Sequence, residues 1–318
     1  MNPEPGIWKR MWATKYAMAT LNAEEEDGWF VSQTSQPFWQ SFLRRFIASG
    51  PVPRHVAFVM DGNRRFAKTR HLGSVIKGHE KGFLQLARIL DWCNRFGIQE
   101  ITVYAFSIEN FKRSEDEVSG LMRLAEEKFA KLLNDDKKLE EKRICFRFYG
   151  NRALLSARLQ QLMTDIEEKT EKYENGRLNV CMPYTSRDEI ARSFETIRQK
   201  CKQGKVSVDE INESMIDACL DSGCGGSPPD LFIRTSGEHR LSDFLMWQAS
   251  DTHVYFDDVL WPEFGYYNLC KAILNYQYYR TTVAKISTLT TIDVDNEDTT
   301  KWQMNFSGNY RELTSVKS

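Results

Sequence analysis

Residues 55–68, HVAFVMDGNRRFAK, decide how the rest of the chain is interpreted. An apolar run without alternation, HVAFVM, predicts a strand that is buried on both faces, as strands of parallel sheets are. Polar and charged residues follow at once: Asp61, Gly62, Asn63, Arg64 and Arg65. In open parallel sheets ligands bind beyond the carboxyl ends of the strands, so this cluster predicts a functional site at that edge.

Apolar strands and amphipathic helices alternate along the rest of the chain. Further strands are predicted at residues 100–107, 143–150, 177–183, 230–236 and 252–258. Helices are predicted at residues 82–96, 114–133, within 153–173, at 186–200, from 207, around 244–248 and at 266–282. Three of them begin with capping-box pairs, namely Ser114 with Glu117, Ser186 with Glu189 and Ser207 with Glu210. This pattern predicts an α/β fold, a single domain with a largely parallel central sheet flanked by helices.

The domain is expected at residues 36–283, between a mobile N-terminal extension (1–35) and a polar C-terminal tail (284–318). Residues 1–35 lack a clear period and carry the acidic run EEED. Apolar residues recur at intervals of three and four within 37–49, which predicts an amphipathic helix at the start of the domain. That helix could pack on its own domain, or it could present an apolar face to a membrane or to a substrate tail.

Charge and cysteine content exclude several classes of protein. The chain has 43 basic and 44 acidic residues, so no overall charge attracts nucleic acid. Its seven cysteines include no C-x-x-C pair, which favours reduced thiols over a zinc site. No apolar run reaches the roughly 18 residues that a spanning helix needs, so we expect a soluble or peripheral protein.

Arginine accompanies small hydroxyl or amide residues after every predicted strand except the last. The segments are 61–65, 107–113, 150–152, 184–187 and 234–242. Guanidinium groups bind phosphate oxygens in bidentate fashion, so their convergence predicts a polyanionic ligand. One carboxylate among them, Asp61, suits a Mg²⁺ ion carried by those phosphates. His79 begins the next helix and could belong to the site or merely cap and pack.

Five segments resemble the cis-prenyltransferase family, the undecaprenyl diphosphate synthase-like enzymes that make long Z-polyprenyl diphosphates. They are MDGNRR (60–65), GHEKG (78–82), YAFSIENFKRS (104–114), IRTSGEHRLSDFLMWQ (233–248) and VLWPEF (259–264). The likeness covers about residues 50–280, and AFSIENFKRS is the wording of the eukaryotic catalytic subunits. The resemblance implies condensation of isopentenyl diphosphate onto an allylic diphosphate such as farnesyl diphosphate, giving a polyprenyl diphosphate for dolichol synthesis and protein glycosylation.

The resemblance also implies roles for individual residues. Asp61 would bind Mg²⁺ and assist the diphosphate chemistry, and Ser107, Asn110 and Arg113 would lie near the reacting carbons. The allylic diphosphate would contact Gly62, Asn63, Arg64, Arg65 and His79. The diphosphate of isopentenyl diphosphate would contact Arg234, Arg240 and Ser242. Phe66, with Phe106 and Phe111, would form apolar walls beside the growing chain, and the helices that carry Phe83 and Leu121 are candidates for a tunnel.

The sequence departs from the family pattern at three places. Val75 stands where the family usually has an arginine, for which Lys77 or Arg70 could substitute, and His253 stands where bacterial members have a metal-assisting glutamate. Residues 305–318, NFSGNYRELTSVKS, contain no Arg-x-Gly triplet, which homodimeric members use to close the partner's active site. Eukaryotic catalytic subunits obtain that triplet from a silent subunit similar to the Nogo-B receptor, so we expect a partner of that kind.

Alternatives remain at this point. A homodimeric polyprenyl diphosphate synthase and a non-catalytic, stabilising subunit of the same fold both fit the pattern in part. A haloacid-dehalogenase-type phosphatase would need a second aspartate where Asn63 stands, which disfavours it. Because the product would carry a long lipid tail, we expect peripheral attachment to the cytosolic face of the endoplasmic reticulum membrane.

Overall fold

The computed structural model describes residues 28–31, 37–223 and 226–280. Its centre is a six-stranded sheet in which all neighbouring strands run parallel, in the order β3-β4-β2-β1-β5-β6. The strands are β1 (His55–Val59), β2 (Glu100–Tyr104), β3 (Ile144–Tyr149), β4 (Gly176–Cys181), β5 (Leu231–Arg234) and β6 (His253–Phe256). The predicted parallel α/β sheet is confirmed, and β1, with every residue buried, lies between β2 and β5.

Helices and short 3-10 turns connect the strands. The α-helices are α1 (Phe38–Ile47), α2 (Asn63–Thr69), α3 (Val75–Phe96), α4 (Glu115–Leu133), α5 (Asp136–Lys142), α6 (Ala157–Thr170), α7 (Ser186–Lys202), α8 (Glu213–Cys219) and α9, which is helical over 266–280. The 3-10 turns are Ile108–Lys112, Arg152–Leu154, Val208–Glu210 and Trp261–Glu263. The larger apolar core joins the sheet to α3, α4 and α6 through buried residues such as Leu86, Phe129 and Leu162.

Part of the expected mobile extension belongs to the core, which corrects that prediction for residues 28–31. Trp29 and Phe30 are only 5% exposed and pack in the larger apolar cluster. Two large aromatic side chains buried together stabilise a segment that has no regular secondary structure. The rest of the predicted extension, and the predicted tail 284–318, lie outside the described residues.

Two of the three predicted capping boxes do not form. Ser114 is the N-cap of α4 but its side chain caps no backbone group, and Glu117 accepts from Arg113. Glu189 accepts from the hydroxyl of Tyr184 and from two groups distant in sequence, Gln248 Nε2 and Asp221 N, and the N-cap residue of α7 is Thr185, one residue earlier than predicted. The third box, at Ser207, does form but opens a 3-10 turn. Both carboxylates are thus satisfied by partners outside the predicted capping boxes.

The segment around residues 244–248 forms turns and not the predicted helix. Ser242, Asp243 and Leu245 all have positive φ angles (53°, 59° and 48°), which right-handed helices do not contain. The left-handed backbone here follows β5 at the edge where the site was predicted, and strained backbone of this kind is typical of functional sites.

Helix α3 starts seven residues earlier than predicted and includes two glycines. A Cβ atom at Gly78 would lie 2.3 Å from the carbonyl oxygen of Asn63, and one at Gly82 would lie 2.3 Å from Asn63 Oδ1. The glycines therefore let the start of α2 approach α3 closely, and this packing outweighs the low helix propensity of glycine. The approach places Asn63 and His79 beside each other at the carboxyl edge of the sheet.

Candidate active site

A cavity of about 670 Å³ opens at the carboxyl edge of the sheet, where the sequence predicted a site. Its polar part contains Asp61, Asn63, His79, Ser107, Asn110, Arg113, Arg234 and Ser242. Its apolar part lies between α3 and α4 and contains Phe83, Leu86, Leu121, Leu124, Ala125 and Phe129. Polar groups from the ends of β1, β2 and β5 thus meet at one mouth, and an apolar compartment adjoins them.

Asp61 and Arg234 form the ionic centre of this mouth. Arg234 NH2 donates to Asp61 Oδ2 at 2.9 Å, while its NH1 donates to the carbonyl oxygen of Arg240 and to Ser242 Oγ at 2.6 Å. Arg234 is only 3% exposed, whereas the side chain of Asp61 is 36% exposed. Parallel β1 and β5 pair with Val59 opposite Arg234, so Asp61 lies two residues beyond that level, where the long Arg234 side chain reaches it.

The backbone of Asp61 is held by residues that the sequence reading did not single out. Thr235 Oγ1 accepts a hydrogen bond from Asp61 N and donates one to Asp61 O, at 3.0 and 2.9 Å. Trp261 N also donates to Asp61 O. Gly62 then turns the chain with φ at 104°, and a Cβ there would lie 2.9 Å from Leu260 Cδ2. Gly62 therefore allows the tight turn after Asp61 to pack against Leu260, and it does not line the cavity.

Two further predicted arginines meet at the rim, outside the cavity lining. Arg65 NH2 donates to Glu238 Oε1 at 3.0 Å, and Arg240 NH1 donates to Glu238 Oε2 at 2.5 Å. Arg65 also binds Ser236 O and Oγ. Through the bond from Arg234 to the Arg240 carbonyl, this rim is joined directly to the ionic centre.

Ser107, Asn110 and Arg113 sit on the 3-10 turn after β2. Ser107 Oγ accepts from Glu109 N and Asn110 Oδ1 accepts from Ser107 N, so these side chains also build the turn that presents them. Arg113 NH1 donates to Glu117 at 2.8 Å, and Arg64 Nε lies 4.0 Å from the same carboxylate. Arg64 is mostly exposed and, like Phe66, does not line the cavity.

Three buried polar atoms in the mouth have no hydrogen-bond partner among the residues that the structure describes: Asn63 Oδ1, His79 Nε2 and Arg234 Nε. Burial, followed by the charges of Arg113 and Arg64, lowers the pKa of His79 to about 4. The imidazole is therefore neutral at neutral pH. Unsatisfied buried polar atoms are costly, so their concentration at one place is typical of a site built for a polar ligand.

The donor set around Asp61 determines whether the expected Mg²⁺ could bind here. Within the described part of the chain no group of three or more His, Cys, Asp or Glu side chains could hold a metal. Asp61 is a single carboxylate whose oxygens accept from Gly62 N at 2.7 Å and from Arg234. Mg²⁺ is commonly bound by one or two carboxylates with substrate phosphates and water. The residues present therefore fit an ion shared with a diphosphate.

Several predicted segments do not join this site. Arg152 is paired with Glu167 at 2.7 Å and lines a different, smaller cavity. His253 begins β6, at the amino edge of the sheet, where its Nε2 lies 2.7 Å from Asn275 Oδ1. It is separated from the mouth by the length of the strand. Arg70 pairs with Glu263, and Val75 is the first residue of α3.

Arg187, the arginine of the predicted segment 184–187, does reach the mouth: its Nε donates to Asp243 Oδ2 at 2.8 Å, and both side chains line the cavity. Other cavity residues, Asp243 among them, were not singled out from the sequence. Trp29 and Lys128 line the apolar part. Asp243 lies in the quoted motif LSDF and could have been found there, whereas Trp29 lies in a segment without any periodic signal.

Comparisons with known proteins agree on one family. The family profile for undecaprenyl diphosphate synthase matches residues 59–283. The chain is 46% identical over 249 residues to the dehydrodolichyl diphosphate synthase complex subunit of Mus musculus, covering 78% of this chain and 74% of that protein. It is 39% identical over 240 residues to a tritrans,polycis-undecaprenyl-diphosphate synthase (geranylgeranyl-diphosphate specific) of Archaeoglobus fulgidus, covering 76% and 95%.

Solved structures show the same relationship. The crystal structure of lavandulyl diphosphate synthase from Lavandula x intermedia, in complex with dimethylallyl diphosphate, superposes with a TM-score of 0.67 at 31% identity. The superposed region covers 71% of this chain and 95% of the lavandulyl diphosphate synthase chain. An undecaprenyl diphosphate synthase from Campylobacter jejuni superposes with a TM-score of 0.58 at 26% identity, covering 71% and 96%.

Proposed function

The chain belongs to the undecaprenyl diphosphate synthase family of cis-prenyltransferases, and from that premise we propose which substrates, ion and partners its site serves. The enzyme makes a long-chain polyprenyl diphosphate, as its similarity to dehydrodolichyl and undecaprenyl diphosphate synthases indicates. The proposed substrates are farnesyl diphosphate as the allylic primer and isopentenyl diphosphate as the extender. The proposed product is a dehydrodolichyl diphosphate used for dolichol synthesis and protein glycosylation.

The observation that carries this proposal is the joining of a cationic mouth to an apolar compartment in one cavity. A prenyl diphosphate has the same division, with a polyanionic head and an apolar tail. Arg234, Arg240 and Ser242 would bind the head of isopentenyl diphosphate, while Asn63, Arg64, Arg65 and His79 would face the allylic head. In the reaction the extender's double bond attacks the first carbon of the primer as its diphosphate leaves, and a proton is then lost.

We propose that Asp61 holds Mg²⁺ together with the diphosphate oxygens. When bound, the ion would neutralise charge that develops on the departing diphosphate. The chain's own contribution is to fix the groups around that charge. Arg234 is locked by three acceptors and Asp61 by Thr235, so neither has to reorganise during the reaction. Preorganised charges in a buried site are the largest contribution in many enzymes.

We further propose that the chain works with a second subunit similar to the Nogo-B receptor. Its mouse and human relatives are both named as subunits of a complex. A homodimeric synthase is the alternative, and activity of the purified chain alone would favour it.

Peripheral attachment to the endoplasmic reticulum membrane is supported by the surface of α1. Phe38, Phe42 and Phe46 recur every four residues and are 87%, 67% and 64% exposed. Arg45 is exposed beside this aromatic stripe. Exposed aromatics next to cations are typical of helices that lie at a membrane interface. Among the described residues no helix is long and apolar enough to cross a membrane.

The test is incubation of the full-length chain, alone and with the co-purified second subunit, with farnesyl diphosphate, labelled isopentenyl diphosphate and Mg²⁺. Products are separated by reverse-phase chromatography. We expect labelled polyprenyl products with both subunits present, and much less with the chain alone. Absence of any labelled lipid under both conditions, with a folded protein, would refute the proposed reaction. A product formed only when dimethylallyl diphosphate is the allylic substrate would show that farnesyl diphosphate is not the primer.

A further inference from the structure

Helix α9 presents an apolar stripe to solvent. Tyr267, Leu274 and Tyr278 follow one another at intervals of seven and four residues and are 66%, 39% and 76% exposed. Such intervals place side chains on one face of a helix. The opposite face of α9 is buried in the larger apolar core through residues such as Leu269 and Tyr276. Packing on the sheet therefore accounts for one face of α9 and leaves the stripe unexplained.

Helix α1 lies along α9. Near the start of both helices the hydroxyl of Tyr266 donates to the carbonyl oxygen of Gln40 at 3.0 Å. Near their ends Gln277 Nε2 donates to the carbonyl oxygen of Ile47 at 2.8 Å. The ring of Trp39 also packs on that of Tyr266, with the centroids 5.7 Å apart. The two helices therefore run side by side in the same direction.

The exposed stripes of the two helices adjoin each other. On α9, Tyr267 and Tyr278 each follow directly after a residue that touches α1, so both lie about 100° round the helix from that contact. On α1, Phe42 and Phe46 lie three and seven residues after Trp39, which touches α9, and so share its side of the helix. The two stripes together are called the α1–α9 surface, which consists of Phe38, Phe42, Phe46, Tyr267, Leu274 and Tyr278.

Neither helix of this surface contains an acidic residue. Of the chain's 318 residues 44 are acidic, yet Asp and Glu are absent from the sequence of both α1 and residues 266–280. The same two segments contain the cations Arg44, Arg45, Lys271 and Arg280. Arg45 is exposed, and the side chain of Lys271 is 57% exposed. Exposed aromatic rings next to cations, without carboxylates, are complementary to a bilayer with anionic headgroups.

We propose that the α1–α9 surface is one lipid-binding surface, in which α9 supplies a second line of contacts beside α1, and that its ligand is a bilayer containing anionic phospholipid. The inference rests on the proposed peripheral attachment and extends it from α1 to α9. A second copy of this chain is a poorer ligand, because it would bring like charges together. The polyprenyl product, with its long apolar tail, also has to enter a bilayer.

Two neighbouring tyrosines of α9 offer a matched pair of variants. Tyr278 belongs to the stripe, whereas Tyr279 is 44% exposed and stacks on His253, with the ring centroids 5.7 Å apart. Binding of the full-length chain is measured by sedimentation with vesicles of phosphatidylcholine, with and without phosphatidylserine. The variants are Tyr278→Ser, Tyr278→Phe, Tyr279→Ser, Arg45→Gln and Tyr267→Ser combined with Tyr278→Ser.

We expect Tyr278→Ser to weaken binding at least about threefold, and the double variant at least about tenfold, because each removes a ring from the apolar contact. Tyr278→Phe keeps the ring and should stay within about twofold of wild type, as should Tyr279→Ser. Arg45→Gln should weaken binding about fivefold to vesicles with phosphatidylserine, and less to phosphatidylcholine alone, because it removes one cation from the surface.

Unchanged affinity in the double variant, or an equal loss in Tyr279→Ser, overturns the role of α9. A double variant that binds vesicles normally but changes its oligomeric state in light scattering would show that the stripe is a protein interface instead. If Tyr278→Ser does not fold, as judged by circular dichroism, Tyr267→Ser alone decides in the same way.

These outcomes are separable from those of the proposed function. Wild type that binds neither kind of vesicle would refute the peripheral attachment itself. A loss of binding in Phe42→Glu with none in the α9 variants would leave attachment to α1 and refute only the extension to α9. The reaction is judged by the assay of labelled products, which does not depend on vesicle binding.

Discussion

Replacing Asp61 by asparagine removes one charge from the site and changes its shape little. The buried Arg234 then loses its carboxylate but keeps the Arg240 carbonyl and Ser242 Oγ. A hydrogen bond to a charged group contributes about 1.5–3 kcal/mol, and the 36% exposure of the Asp61 side chain weakens this pair through solvent screening. We therefore expect a loss of about 1–2 kcal/mol in the free energy of unfolding. Turnover should fall at least about 100-fold, because the ion that would neutralise the departing diphosphate loses its carboxylate ligand.

The two effects are measured separately. Urea unfolding of the ligand-free chain gives the stability change, and initial rates with the second subunit present give turnover. Asp61→Asn combined with Arg234→Met should recover part of the lost stability, because it removes the buried unpaired charge, but no activity. Asp91→Asn, which breaks a surface pair with Arg95 on α3, should leave turnover unchanged. Near-normal turnover in Asp61→Asn would contradict the proposed role of this carboxylate.

Three other predictions address the mouth and the surface. Arg234→Ala should chiefly raise the KM for isopentenyl diphosphate, by about 10–100-fold, because it removes a charge-assisted hydrogen bond to a diphosphate that does not leave in the reaction. An unchanged KM in steady-state kinetics would show that this diphosphate binds elsewhere. The pKa of His79 is about 4 in the folded chain and 6.5 as the ordinary value, so between pH 4 and pH 6.5 only the unfolded chain binds a proton at this imidazole. Proton binding therefore favours unfolding, so the stability of the fold is complete with respect to His79 above pH 6.5 and is lost as pH falls towards 4. From pH 7 to pH 5 the free energy of unfolding should drop about 2 kcal/mol less in His79→Gln than in wild type, and equal drops in urea titrations would contradict the shift. Phe42→Glu should weaken binding to phosphatidylcholine vesicles at least about tenfold in sedimentation, whereas Val208→Glu, another exposed apolar position, should not; equal effects would argue against α1 as the contact.

The sheet could be predicted because the strands are short and apolar and, as far as β5, are separated from one another by amphipathic helices. In a parallel sheet this pattern also fixes which strand ends share an edge, so the meeting of Asp61, Arg113 and Arg234 followed from topology. Segment 150–152 shows the limit of that reasoning. It follows β3, the edge strand, and its arginine pairs with Glu167 beside a separate cavity. Sequence order does not reveal which strand lies at the edge of the sheet.

Local rules failed where a tertiary contact competed with them. Glu189 binds Gln248 Nε2 and Asp221 N instead of completing its expected capping box, and the glycines of α3 stayed helical because Asn63 packs against them. Trp29 could not be found at all, because a segment without periodicity gives no signal of burial. Such contacts depend on three-dimensional packing, which no window of sequence contains.

The arginines of the site are each held by a carboxylate before any substrate arrives. The pairs are Arg234 with Asp61, Arg113 with Glu117, Arg187 with Asp243, and both Arg65 and Arg240 with Glu238. Several cations around one cavity repel each other, and the carboxylates offset that repulsion in the free protein. Diphosphate oxygens that bind these guanidinium groups must therefore share them with carboxylates or displace them. The Glu238 pairs are the easiest to exchange, since both arginines are about half exposed or more, whereas the buried Arg234 should keep its pair with Asp61. The rim is thus suited to admit and release diphosphates, and the ionic centre beneath it to stay fixed while bonds are made.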